Sequence, residues 1–152
     1  MIKSSCILLI LLFASLLGYG QQCFEYHKNA CIPPISKYTY DETTNSVSFL
    51  FTAGQKRQVP LTLYAGKDYR IMVCGNSIFN DVILFKILKE DGQVIYDNSK
   101  FNYLLDIEFS SQNSQSAFIE IEVPDLAVTD SLKPKGCIGV LIEDMVSVKT
   151  GF

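Results

Sequence analysis

A single imidazole, His27, limits what nucleophilic chemistry this chain can do. A serine, threonine or cysteine nucleophile needs a base beside it, and His27 lies between Cys23 and Cys31 in a segment with no catalytic signature. A satisfied or solvated loop histidine is the expectation. Carboxylate pairs suited to glycoside hydrolysis would have to come from Asp106 with Glu108, or from Glu120 with Glu122. Their i, i+2 spacing puts each pair on one face of a strand, the usual place for the wet side of a sheet. No catalytic residue is assigned, and no enzyme activity is expected.

Hard oxygen donors for calcium would come from Asn80 with Asp81 or from Asp97 with Asn98. No Asp-x-Asp repeat accompanies them, and Asx residues favour turns for backbone reasons alone. The expectation is therefore no metal and no cofactor. Aromatic faces suited to a ligand gather near the same place, where Tyr96, Phe101 and Tyr103 flank Asp97-Asn98-Ser99-Lys100. The loop containing Asp97, Asn98, Phe101 and Tyr103 is thus the candidate ligand-binding site, since sandwich ends are where binding loops are grafted.

Residues 1–20 read as an export signal: Lys3, an apolar run of about 11 residues from Ile7 to Leu17, then Gly18-Tyr19-Gly20 before the cut. That run is too short to span a bilayer as a helix. Cys23 just beyond it raises the thought of a lipid anchor, but Gln22 occupies the place where lipoprotein processing needs a small residue. A secreted, periplasmic or cell-surface location follows, with no transmembrane segment in the mature form.

Cys6 is lost with the signal, and the remaining Cys23, Cys31, Cys74 and Cys137 are expected to form two disulfides. Cys23 with Cys31 would close a short loop, and Cys74 with Cys137 would tie a central strand to the last one. Loop entropy assigns these bridges about 2.5 and about 4 kcal/mol. A zinc site is disfavoured because no Cys-x-x-Cys pair occurs. The whole chain carries a net charge of −3, and removal of Lys3 makes it more negative. Nucleic acid is excluded as the main partner, because it would call for a basic face.

The elements that must position any site are strands. Residues 21–45 form an aperiodic, disulfide-pinned lead-in, and residues 46–152 form one domain. Within it, runs rich in Val, Ile, Phe and Tyr occupy 46–52, 58–64, 69–74, 82–88, 93–96, 104–110, 117–123 and 137–143, each bounded by turn residues. Ile119, Ile121 and Val123 alternate with glutamates, so that strand has one wet face. The stretches 82–85 and 138–142 are nearly all apolar and belong in the centre. Glu90-Asp91-Gly92 marks a hairpin, and Pro60 pushes its strand to a sheet edge. About eight strands without a helical period predict an all-β, two-sheet antiparallel jelly-roll-like sandwich, four strands per layer.

The segments Phe51 to Gln55, Val59 to Leu63, Gly66 to Cys74, Phe85-Lys86-Ile87, Asp91-Gly92 and Ile95 to Ser99 resemble a known family. It is the jelly-roll sandwich that follows the peptidase domain in secreted bacterial proteases, the bacterial pre-peptidase C-terminal domain. The resemblance implies a non-catalytic accessory role in binding or export. The expected function is accordingly a secreted binding or assembly module of the bacterial cell envelope, with an envelope or extracellular protein as partner. A carbohydrate-binding or calcium-dependent adhesion domain, with a glycan partner, is the alternative.

Overall fold

The computed structural model describes residues 23–79, 82–126 and 133–147. The export signal assigned to 1–20 and the Asn80-Asp81 pair lie outside these residues.

Two antiparallel sheets carry the fold. One combines β1 (Asp41–Glu42), β2 (Val47–Thr52), β4 (Lys67–Gly75), β7 (Asp106–Ser111) and β9 (Lys135–Val146). The other is ordered β3 (Lys56–Leu63), β8 (Gln115–Glu122), β5 (Leu84–Lys89), β6 (Val94–Asp97). Strand alternation builds the core between them. Phe51, Tyr69, Ile71, Val73, Ile138, Val140 and Ile142 come from one inner face, and Val59, Leu61, Leu63, Phe85, Ile87, Ile119 and Ile121 from the other. Each such side chain contributes about 1.5–3 kcal/mol by leaving water.

All eight runs read from the sequence are strands, and Pro60 sits on β3, an edge of its sheet. The hairpin at Glu90-Asp91-Gly92 joins β5 to β6, and Gly92 supplies φ +83°, a backbone setting that glycine adopts at no steric cost. The layers are five and four strands rather than four and four, because β1 escaped the sequence reading. β1 and β2 lie end to end along the same side of β9. Between them the chain steps away from the ladder, and Ser46 fills the gap. Its hydroxyl donates to the Ile142 carbonyl at 3.1 Å and accepts the Ile142 N–H at 2.9 Å.

Residues 26–30, read as aperiodic, form a short helix, α1 (Tyr26–Ala30), laid on the outer face of the five-stranded sheet. Two disulfides hold it there, and their pairing corrects the one expected. The bridges are Cys23–Cys137 and Cys31–Cys74, each with a Cα separation of 5.4 Å. Cys74 stands opposite Gly139 in the ladder, so Cys137 is its diagonal neighbour on the same face. Diagonal positions are about 7–8 Å apart, beyond the usual disulfide reach. Cys23 and Cys31, separated by α1, instead descend onto the two sheet cysteines separately.

This stapled lead-in explains why β9 is apolar on both faces. Its inner side faces the core, and Leu141 on the outer side is 6% exposed beneath the covering segment. Arg70 and Glu143 are buried in the same layer: Arg70 Nε donates to Glu143 Oε2 at 2.6 Å, and Nη1 donates to the Pro34 carbonyl at 3.4 Å. Tyr40 lies over the guanidinium at 4.5 Å. A buried cation needs such a set of partners to offset its lost hydration.

Candidate functional site

The candidate loop leaves β6 through a 3-10 turn, Asn98–Phe101. Asp97 caps the turn: its Oδ1 accepts Ser99 N–H at 3.1 Å and Ser99 Oγ–H at 2.7 Å. The hydroxyl of Ser99 foremost, then its N–H and the charges of Lys86 and Lys100, hold the Asp97 carboxyl below its ordinary value against the opposing effect of burial. Asn98 is fully buried, its Oδ1 accepting Phe85 N–H at 3.0 Å and its Nδ2 donating to the Ile83 carbonyl at 2.9 Å. It splices the loop to β5, a role read from neither composition nor spacing.

Two successive left-handed residues, Asn102 at φ 54° and Tyr103 at φ 57°, then reverse the chain toward β7. This setting costs a bulky residue like Tyr103 energy that the surrounding contacts must offset. Tyr103 N–H bonds to the Asn98 carbonyl at 3.0 Å and Leu104 N–H to the Phe101 carbonyl at 3.1 Å. Phe101 folds back to stack on Tyr96, centroids 5.3 Å apart and planes 10° from parallel. Beneath it the Tyr96 hydroxyl is buried and has no hydrogen-bond partner among the described residues. Burial, reinforced by the carboxylates of Asp106 and Asp97, raises its pKa above the ordinary value.

The loop thus divides. Asn98 spends its polar atoms inward and the Asp97 carboxylate is engaged at the surface by Ser99 and by Lys86 at 3.8 Å, whereas Phe101 and Tyr103 face solvent at 55% and 41% exposure. Leu104, Val94 and Ile95 join them at 52%, 47% and 44%. The sequence reading found the two aromatics but missed the aliphatic residues of β6, whose edge position could not be read locally.

The remaining chemical candidates are held in structural contacts. His27 is buried; its backbone N–H and ring Nδ1 lie 2.8 and 2.7 Å from Ser48 Oγ, and Nε2 lies 3.0 Å from Glu42 Oε1. A neutral ring protonated at Nε2 satisfies all three contacts. The connectivity is that of a serine–base–acid relay, but the exposure is inverted. Glu42 is open to water, while Ser48 sits against α1 with its oxygen already receiving the His27 N–H. This relay fastens α1 to β2.

Glu108 lies 3.8 Å from Arg70 on the outer face of the five-stranded sheet, and Lys56 pairs with Glu120 and Glu122 at 3.3 and 2.9 Å on the other sheet. The two acidic pairs considered for catalysis are therefore on opposite outer faces. No group of three or more potential metal ligands occurs among the described residues, and no helix there is long and apolar enough to cross a membrane. A shallow groove of about 250 Å³ opens between β2 and β3, lined by Thr44, Asn45, Ser46, Val47, Phe49, Val59 and Pro60.

With this geometry in view, comparison with known proteins yields a likeness of fold. The chain is similar to a periplasmic lysozyme inhibitor of g-type lysozyme from Aeromonas hydrophila. The TM-score is 0.49 at 12% identity, over 74% of this chain and 93% of that one. No protein-family model matches the chain, and no curated protein does. A likeness this distant carries no functional inference.

Proposed function

We propose that this chain is an exported, non-catalytic binding module of the bacterial cell envelope, and that it meets a protein partner through β6 and the turn that follows it. The observation that carries the reading is the cluster of Val94, Ile95, Phe101, Tyr103 and Leu104, all more than 40% exposed along one edge of the sandwich. Apolar side chains grouped in this way mark interaction surfaces far better than single exposed ones do. Two disulfides in a small domain fit an oxidising compartment outside the cytoplasm. The accessory role implied by the resemblance to the pre-peptidase C-terminal domain agrees with both.

A protein fits this surface better than a sugar. Glycan sites combine an aromatic platform with adjacent polar groups that fix the hydroxyls. Here the Asp97 carboxylate is already taken by Ser99 and Lys86, Asn98 points its polar atoms into the fold, Phe101 gives one ring face to Tyr96, and Val94, Ile95 and Leu104 are aliphatic. The test is binding of envelope extracts and of a glycan array by the wild type and by Phe101→Ser/Leu104→Ser. Protein binding lost in the variant supports the reading; glycan binding, or protein binding that survives the change, counts against it.

A further inference from the structure

We infer that Ile32-Pro33-Pro34-Ile35 is a second docking element, a preformed polyproline-II ridge that a partner protein takes into an aromatic-lined groove with an acidic rim. The segment lies over the outer face of the five-stranded sheet, where Arg70 holds it, and shares no residue with the β6 surface of the other sheet.

Ile35 is 105% exposed and Ile32 79%, so neither side chain takes part in packing the fold. Single exposed apolar residues need no explanation, but these two bracket a Pro-Pro step. Cys31, just before them, is extended at φ −82° and ψ 99°. Each proline fixes its own φ at about −65°, and each keeps the residue before it, Ile32 and Pro33, in the extended region. Such a run is polyproline II, which repeats about every three residues. Ile32 and Ile35 therefore stand one turn apart on the same face.

The ridge is held in place before any partner arrives. The Cys31–Cys74 disulfide ties one end to β4. Arg70 Nη1 donates to the Pro34 carbonyl at 3.4 Å, and Ser36 Oγ accepts the Tyr38 N–H at 3.1 Å just beyond. A segment ordered in advance loses little conformational freedom on binding.

The groups left unsatisfied define the occupant. Two successive prolines have no N–H, which rules out the main-chain pairing of an added strand. The carbonyls of Ile32 and Pro33 accept no hydrogen bond among the described residues. A groove of aromatic rings gives flat apolar walls to the isoleucines and prolines, and its indole N–H and phenol O–H groups donate to those carbonyls. Charge sets the rim. Residues 31–40 include no acid, although the whole chain has a net charge of −3. Exposed Lys37 has no carboxylate partner among the described residues, its ammonium lying 4.8 Å from the centre of the Tyr38 ring. Complementarity then asks for acidic residues beside the groove.

The test is photo-crosslinking of the full oxidised chain in its source cell, with benzoylphenylalanine replacing Ile32 so that the position stays apolar. Peptide mass spectrometry locates the attachment point on the partner. The expected result is one protein adduct, attached among Trp, Tyr or Phe residues, lost in Ile35→Ser and in Pro33→Gly/Pro34→Gly and weakened in Lys37→Glu. If the double glycine variant does not form both disulfides, Pro34→Ala is read in its place. No adduct from position 32, an adduct that survives loss of the prolines, or attachment to a surface without aromatic residues overturns the inference. An adduct abolished by Phe101→Ser/Leu104→Ser but not by Ile35→Ser makes the ridge a bystander of the β6 contact, which overturns the second element and leaves the proposed function standing.

Discussion

A Cβ placed on Gly139 would stand 2.7 Å from the Cα of His27 and 3.0 Å from the Sγ of Cys74. The contact is with backbone, and α1 cannot slide away, since Cys23 and Cys31 tie the chain to the sheet at either end of it. Gly139→Ala should therefore lower stability by about 1–3 kcal/mol, the range for forcing extra volume into a packed site. Urea unfolding of the oxidised protein measures this, and an unchanged midpoint would mean that α1 does not rest on β9.

Non-reducing peptide mapping should recover Cys23 linked to Cys137 and Cys31 linked to Cys74. Their sequence separations of 114 and 43 residues correspond to about 5 and about 4 kcal/mol in the loop-entropy estimate. Serine replacement of either pair should lower the melting temperature, with the Cys23–Cys137 pair costing more.

Arg70 is 6% exposed and satisfied by Glu143, the Pro34 carbonyl and the face of Tyr40. Removing it strands Glu143, itself 8% exposed, as an uncompensated buried charge. Arg70→Ala should cost about 3–5 kcal/mol, and adding Glu143→Ala should recover part of the loss. A double-mutant cycle in chemical denaturation reads the coupling directly.

Asp97 makes a pH-dependent contribution. Its folded carboxyl titrates below the ordinary 3.8 because Ser99 donates to the charged form. A depressed carboxylate stabilises the fold above its unfolded pKa and loses that contribution as pH falls through the folded one. Asp97→Ala should melt earlier than the wild type at pH 7. The gap should narrow once the pH drops below 3.8. A gap that is constant from pH 7 to pH 2 would assign the cap no electrostatic part.

Much of the architecture was legible because strand signals are local. The alternation around Ile119 and Ile121 marks an inward face, and Asp91-Gly92 marks a turn, whatever the rest of the chain does. What escaped depends on distant partners. α1 has five residues and is held by sheet contacts and disulfides rather than by its own periodicity. β1 exists only because β9 runs long enough to pair with it. Cysteine spacing cannot reveal that Cys74 and Cys137 share a face diagonally. At the candidate site, Phe101 and Tyr103 were visible as aromatics in a turn-rich stretch. The burial of Asn98 depends on Phe85 and Ile83, which no local pattern ties to it.

The most direct test of the binding function is site-specific photo-crosslinking in the source cell, with a photoreactive residue at Phe101 and, as control, at Thr62 on the exposed face of β3. The account predicts a discrete protein adduct from position 101, abolished by Leu104→Ser, and none from position 62. Equal labelling from both positions, or none from 101 while other surface positions crosslink, would contradict it.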